Sequence, residues 1–133
     1  MLTGSCMCGG VRFELSEAPE FAAYCHCTRC QKRTGTAAAM SARAVPGSLR
    51  VTQGEDLIRS WVPPEQGWAK DFCSVCGSAL WSRHRDDPSL VSVRMGAFDE
   101  DPGVRAEYRQ FVAYAAPWEP ITDDLPQYPE SRF

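Results

Sequence analysis

Seven cysteines are the residues of this 133-residue chain that are best suited to chemistry. They fall into three tracts in which one or two residues separate neighbouring cysteines: Cys6–Cys8, Cys25–Cys30 and Cys73–Cys76. A short turn can point two thiolates at one ion about 2.3 Å away, while backbone N–H groups stabilise the sulfurs. The tracts therefore predict bound metal rather than inert buried thiols. Zinc is favoured over an iron–sulfur cluster because no tract has a common ferredoxin spacing.

The cysteine count indicates two zinc ions per chain with different numbers of ligands. A closed structural zinc takes four protein ligands, whereas a reactive zinc takes three and leaves one position for water or substrate. The middle tract can form the three-ligand site alone from Cys25, Cys27 and Cys30. The closed site is then left with Cys6, Cys8, Cys73 and Cys76.

Glycines favour this division. Gly9 and Gly77 directly follow the first and third tracts, as in zinc knuckles where glycine allows the positive φ of a tight turn. An alternative is a zinc ribbon, which uses two C-x-x-C pairs. It would combine Cys27, Cys30, Cys73 and Cys76 and leave as a second set Cys6, Cys8 and Cys25.

The roles of the two histidines are less clearly indicated by the sequence. His26 lies between two predicted ligands and is a candidate catalytic residue that moves a proton, with a packed or exposed histidine as the alternative. His84 is expected to be a solvated loop residue. If the second zinc were structural instead of open, His26, His84 or a water molecule would complete its coordination.

Three cations surround the middle tract: Arg29, Lys32 and Arg33. They can offset the negative charge of zinc with three thiolates, and they can hold the carboxylates of a small ligand. The alternative is a solvated helix face.

Alternating apolar and polar residues between frequent turn signals predict a β-rich chain with one short helix. The helix is expected at Thr28–Thr34, with Gly35 as its C-terminal cap. The predicted strands are Val11–Leu15, Phe21–Tyr24, Thr36–Ser41, Leu49–Thr52, Leu57–Val62, Trp68–Phe72, Ala79–Ser82, Leu90–Met95 and Arg109–Tyr114.

Length and composition predict one domain over residues 1–133, ending in an extended strap over residues 117–133 that is anchored by Trp118, Leu125 and Tyr128. A net charge of −3 argues against a nucleic-acid binder. No apolar run is long enough to span a membrane, and no signal peptide is recognisable. We therefore expect a cytoplasmic protein whose partners are small molecules.

Several segments together resemble the glutathione-dependent formaldehyde-activating enzyme (GFA) family, whose domain is shared with centromere protein V. The likeness extends from about residue 3 to 128 and rests on Gly4–Phe13, Cys25–Cys30, Phe72–Gly77, Trp118 and Asp124–Tyr128. It implies an Mss4-like fold, with several small coiled antiparallel β-sheets around zinc. It also implies a structural zinc on the four outer cysteines and a catalytic zinc on Cys25, Cys27 and Cys30.

The resemblance further implies a carbon–sulfur lyase that joins glutathione to formaldehyde, or to another small aldehyde, as S-hydroxymethylglutathione synthase does. Two other functions remain open from the sequence. One is a non-catalytic binding module stabilised by zinc, and the other is a redox or metal sensor that uses exposed thiolates.

Overall fold

Ten short strands, one α-helix and three single-turn 3-10 helices make up the regular structure of the chain, for which a computed structural model describes residues 1–133. The helix, α1, spans Thr28–Thr34, and none of the helices is long and apolar enough to cross a membrane. The strands are β1 (Leu2–Ser5), β2 (Arg12–Leu15), β3 (Phe21–Cys25), β4 (Ala39–Arg43), β5 (Leu49–Gln53), β6 (Ile58–Trp61), β7 (Ala69–Cys73), β8 (Ala79–Arg83), β9 (Val91–Arg94) and β10 (Ala106–Gln110).

The strands form two sheets. Three strands pair in the order β1-β2-β5, and seven pair in the order β10-β3-β4-β9-β8-β7-β6. All neighbours are antiparallel except β10 and β3, which are parallel. The expected mainly β class with one short helix is confirmed. The strands gather into two sheets, one small and one large, an arrangement consistent with the expected Mss4-like fold.

The core lies between the two sheets. In the large sheet, the register aligns Trp81 with Val93 and Val93 with Ala42, so that all three point to the same face. All three are buried, and Phe13 of the small sheet packs edge-on against Trp81 with 5.3 Å between ring centroids. Because side chains alternate along a strand, residues on either side of this row point away from the core.

Local sequence signals explain where several elements begin and end. Helix α1 covers the predicted residues, and Gly35 ends it in the left-handed conformation with φ 68°. Strand β10 begins and ends earlier than the predicted strand Arg109–Tyr114. Its end is set by Phe111, which has a left-handed φ of 57° that an extended strand cannot contain.

The C-terminal strap runs beside β10. The N–H of Tyr128 donates to the carbonyl of Arg109 at 2.9 Å, and the Arg109 guanidinium pairs with Asp123 at 2.7 Å. The prediction that Trp118 anchors the strap is wrong, because 67% of that residue is exposed. Main-chain hydrogen bonds and the Arg109 ion pair hold the strap, together with the predicted anchor Tyr128, whose ring packs edge-on against Tyr108 with 5.7 Å between centroids.

Candidate metal centres and adjoining cavities

The first and third cysteine tracts meet in space. The sulfurs of Cys6, Cys8, Cys73 and Cys76 lie within 4.8 Å of one another, with 3.5 Å between Cys6 and Cys8 and 4.0 Å between Cys8 and Cys73. Tetrahedral zinc with sulfur ligands at about 2.3 Å requires sulfur separations of about 3.8 Å. This donor set therefore fits a closed four-thiolate site. We refer to these four residues as the four-cysteine cluster.

Two glycine turns position the four-cysteine cluster. Gly9 and Gly77 have φ values of 76° and 78°, and their N–H groups donate to the carbonyls of Cys6 and Cys73 at 3.0 and 2.8 Å. The N–H of Val11 donates to the Cys6 sulfur at 3.2 Å, a contact that stabilises a thiolate. One turn follows β1 and the other follows β7, so this cluster joins the small sheet to the large one.

The middle tract forms a separate group, here called the three-cysteine cluster. Cys25 ends β3, Cys27 caps the N-terminus of α1, and Cys30 lies in the first turn of that helix. Their sulfurs lie within 4.8 Å of one another, which also fits a metal ion. The zinc-ribbon alternative disagrees with this geometry, because Cys27 and Cys30 group with Cys25 and not with the third tract.

The chain itself favours a thiolate in the three-cysteine cluster. Hydrogen bonds from the thiols of Cys25 and Cys30 lower the pKa of Cys27, and burial opposes them. The backbone N–H of Cys30, 3.3 Å from the Cys27 sulfur, lowers the pKa further. A sulfur with a lowered pKa is the form that binds metal.

Two cavities adjoin the three-cysteine cluster. The outer cleft, about 750 Å³, has Cys27 in its wall together with charges of both signs, among them Arg29, Glu65 and Asp86. The inner cavity, about 500 Å³, is lined by all three cysteines and extends over the face of the large sheet opposite the core. Both cavities share Cys27, Arg29, Gly67, Trp68, His84 and Phe111.

His26 is packed into the protein. It is only 2% exposed, it lines neither cavity, and its Nε2 accepts a hydrogen bond from Arg109 at 3.1 Å. Burial and the charge of Arg109 lower the pKa of His26. This environment disagrees with the expected proton-carrying role and favours the alternative, a packed histidine that fixes the end of β3.

The three predicted cations have different surroundings. Arg29 lines both cavities and donates to the carbonyl of Gln66 at 2.7 Å. Lys32 is exposed and lines neither of these two cavities. Arg33 also lies outside them, because its guanidinium donates to the carbonyls of Asp71 and Trp81 at 2.7 and 3.2 Å. All three cations line a third cavity of about 400 Å³. Only Arg29 also lines the two cavities at the three-cysteine cluster, and Arg33 in addition holds α1 against the large sheet.

Other residues at the cavities did not stand out in the sequence. His84, expected in a solvated loop, lines both cavities, and its Nδ1 accepts from the N–H groups of Asp86 and Asp87, each at 3.1 Å. Lys70 and Arg94 lie in the inner cavity. The alternation of polar and apolar residues in β9 places Arg94 on a polar face. Strand β7 has no such alternation, because Lys70 shares its face with Phe72, and no sequence signal brings the two strands together.

Comparisons with known proteins agree with this arrangement. The sequence profile of the family described as "Glutathione-dependent formaldehyde-activating enzyme" matches residues 1–114. A curated protein of Halomonas elongata, to which a glutathione-dependent formaldehyde-activating activity is provisionally ascribed, is 31% identical over 106 residues, or 76% of this chain and 68% of that protein. A Rhodobacter sphaeroides protein of known crystal structure is similar with a TM-score of 0.60 and 27% identity, covering 77% of this chain and 90% of that one. The chain belongs to the glutathione-dependent formaldehyde-activating enzyme family.

Proposed function

We propose that this protein is a zinc-dependent enzyme of the carbon–sulfur lyase type, which adds a small thiol such as glutathione to a small aldehyde and also reverses that addition. One observation carries the proposal: the three-cysteine cluster lines the inner cavity, whereas no residue of the four-cysteine cluster lines either cavity. Family membership supports the same class of reaction.

The two clusters have different roles in this proposal. The four-cysteine cluster holds a structural zinc that joins the sheets. The three-cysteine cluster holds the second zinc, which supplies an open coordination position and lowers the pKa of a thiol that enters it. All seven cysteines are unpaired, which suits a reducing compartment such as the cytoplasm.

The reaction is a balanced addition. The thiol sulfur forms a bond to the aldehyde carbon, the carbon–oxygen π bond breaks, and its electron pair goes to oxygen. The proton lost by the thiol reaches that oxygen through water, because His26 is buried away from both cavities. In the reverse direction the carbon–sulfur bond breaks, the carbon–oxygen π bond forms again and the thiol regains its proton.

Residues shared by the two cavities perform the remaining tasks. Arg29 can pair with a substrate carboxylate, and Trp68 and Phe111 limit the access of water. Since Nδ1 of His84 accepts two backbone hydrogen bonds, the proton of the neutral ring is on Nε2. His84 is then a hydrogen-bond donor to the oxygen that gains negative charge.

Two measurements on zinc-loaded protein test this function. Zinc X-ray absorption with and without glutathione should show one sulfur replacing a lighter ligand at half of the zinc. Thiol–aldehyde exchange, followed by NMR, should be faster than the spontaneous reaction, and His84→Gln should reduce that excess.

Other outcomes would favour the competing functions. Two closed sites that no thiol enters, together with exchange at the spontaneous rate for several thiols, would refute the enzyme and indicate a binding module. Reversible release of zinc on mild oxidation, without accelerated exchange, would indicate a sensor.

A further inference from the structure

The face of the large sheet that lines the inner cavity carries a row of polar residues. Lys70 of β7 is aligned with Ser82 of β8, Ser82 with Ser92 of β9, and Ser92 with Arg43 of β4. All four line the inner cavity. Four adjacent strands thus present to the cavity two cations separated by two small hydroxyls.

Two Ser-x-Arg tripeptides, Ser41–Arg43 in β4 and Ser92–Arg94 in β9, fix the arginines of this face, because the arginine of each bonds to the serine of the other. Arg94 donates to the Ser41 hydroxyl at 2.7 Å, and Arg43 donates through Nε to the Ser92 hydroxyl at 3.1 Å. The Arg43 guanidinium also stacks over Trp68, 4.9 Å from the ring centroid. These contacts orient both guanidinium groups without neutralising them.

The cations of this face have more N–H donors than there are hydrogen-bond acceptors near them. The Ser82 hydroxyl lies 3.3 to 3.4 Å from nitrogens of three cations, Lys70, Arg33 and Arg94, although a hydroxyl can accept only two hydrogen bonds. Arg94 is only 8% exposed, and its Nε has no partner. A buried guanidinium nitrogen without an acceptor is costly unless a ligand satisfies it.

Charge points to the same ligand class. No aspartate or glutamate lines the inner cavity, and three thiolates on one zinc ion would leave a net charge of only −1 to face Arg43, Lys70 and Arg94. Lys70, Arg33 and Arg94 bring three positive charges to the single Ser82 hydroxyl, where they repel one another. An anion in the cavity would relieve the repulsion among these cations.

We infer that this face binds a carboxylate, and that the carbonyl substrate is therefore an aldehyde bearing a carboxylate group, of the 2-oxo acid class. Formaldehyde is neutral and would leave Lys70, Arg94 and Arg43 without an anionic partner. The outer cleft, with its charges of both signs, suits a zwitterionic thiol such as glutathione. The inference rests on the proposed function and adds to it the identity of the second substrate.

The bonds that change are those of the proposed addition. The thiol sulfur attacks the aldehyde carbon, the π electrons move to the carbonyl oxygen, and the thiol proton ends on that oxygen. The carboxylate stays intact on Lys70 and Arg94, so the product is a hemithioacetal that carries a carboxylate, and no oxidant or reductant is needed.

The first experiment compares two aldehydes of similar size in zinc-loaded protein: glyoxylate, which carries a carboxylate, and glycolaldehyde, which is neutral. With glutathione as the thiol, we expect a KM for glyoxylate at least about tenfold lower, the effect of one charge-assisted hydrogen bond. Lys70→Met should raise that KM about tenfold and change the KM for glycolaldehyde less than about twofold. Arg50→Met, an exposed residue of the small sheet, is the matched control and should change neither.

The second experiment needs no catalysis. Isothermal titration of zinc-loaded protein with oxamate, an unreactive analogue of glyoxylate, should show binding to wild type and to Arg50→Met and at least tenfold weaker binding to Lys70→Met. Neutral glycolamide should not bind. Zinc content is measured for every variant, because cations near Cys30 also offset the charge of the metal site.

Each result decides the inference. Absence of oxamate binding to wild type overturns it, and so does an equal effect of Lys70→Met on both aldehydes. Loss of zinc from Lys70→Met with oxamate affinity unchanged would assign the cations to the metal site and also overturn it. If no aldehyde reacts faster than the spontaneous rate, the proposed function fails, and the oxamate titration still decides whether the carboxylate site exists.

Discussion

Replacing Cys73 by serine should show that the four-cysteine cluster maintains the fold. Cys73 is fully buried at the end of β7 and belongs to the same core cluster as Cys6. Structural zinc contributes about 10–16 kcal/mol to the folding of zinc-finger peptides. That figure is comparable to the entire stability of an ordinary domain, about 5–15 kcal/mol. We therefore expect Cys73→Ser to be largely unfolded at 25 °C.

Part of this loss is independent of metal. A serine hydroxyl left without a partner at a fully buried position costs about 1–3 kcal/mol. Cys25→Ser is the matched control, since Cys25 also ends a strand but is partly exposed and belongs to the three-cysteine cluster. For this variant we expect a loss of at most about 3 kcal/mol and one retained zinc per chain.

The assay combines zinc analysis with urea unfolding followed by tryptophan fluorescence, since Trp81 reports on the core. A chelator added to wild type should reproduce the Cys73→Ser result. The assignment of roles would be refuted if Cys25→Ser lowered the free energy of unfolding as much as Cys73→Ser did. A folded Cys73→Ser protein without zinc at that cluster would refute it equally.

Three further changes test the fold by urea unfolding. Gly54→Ala should cost at least about 2 kcal/mol, because φ is 75° and the new Cβ would lie 2.1 Å from the carbonyl oxygen of Gly10. Gly35→Ala, with a φ of 68° and open space, is its control and should cost about 1 kcal/mol; equal losses would contradict the clash. Phe13→Ala should cost about 3–5 kcal/mol, since that ring is 1% exposed, and a loss below about 1 kcal/mol would contradict the packing. Asp71→Asn removes a carboxylate whose side chain is 6% exposed and should cost about 3 kcal/mol; unchanged stability would show that the buried ion pair contributes nothing.

Short-range signals made some of this structure predictable from sequence. Helix α1 could be located because its boundaries depend on nearby residues, with Gly35 closing the last turn. Strand β1 was missed because its sequence, Leu2–Ser5, has little β propensity. It forms because Gly4 lets the backbone approach Phe13, where a Cβ would lie 2.1 Å from the ring. That contact is long-range, so the local sequence does not reveal it.

The candidate site was predictable to a similar extent. Spacing placed the cysteines in three tracts, and Gly9 and Gly77 favoured the observed division over a zinc ribbon. The inner cavity could not be anticipated, since Lys70, Ser82 and Arg94 come from three strands and meet only through cross-strand register. A shift of one residue in any strand would turn its polar side chain toward the core.

The two clusters also differ in when they can form during synthesis. Cys25, Cys27 and Cys30 lie within six residues, so a nascent or unfolded segment can already bind zinc with them. The four-cysteine cluster must wait until Cys76 leaves the ribosome. A metal that also binds the unfolded chain stabilises the native state less, since only the difference in affinity contributes. Zinc at the three-cysteine cluster can therefore bind tightly and still add little to the melting temperature. Zinc at the four-cysteine cluster binds only after both sheets have assembled, so its whole binding free energy stabilises the native fold.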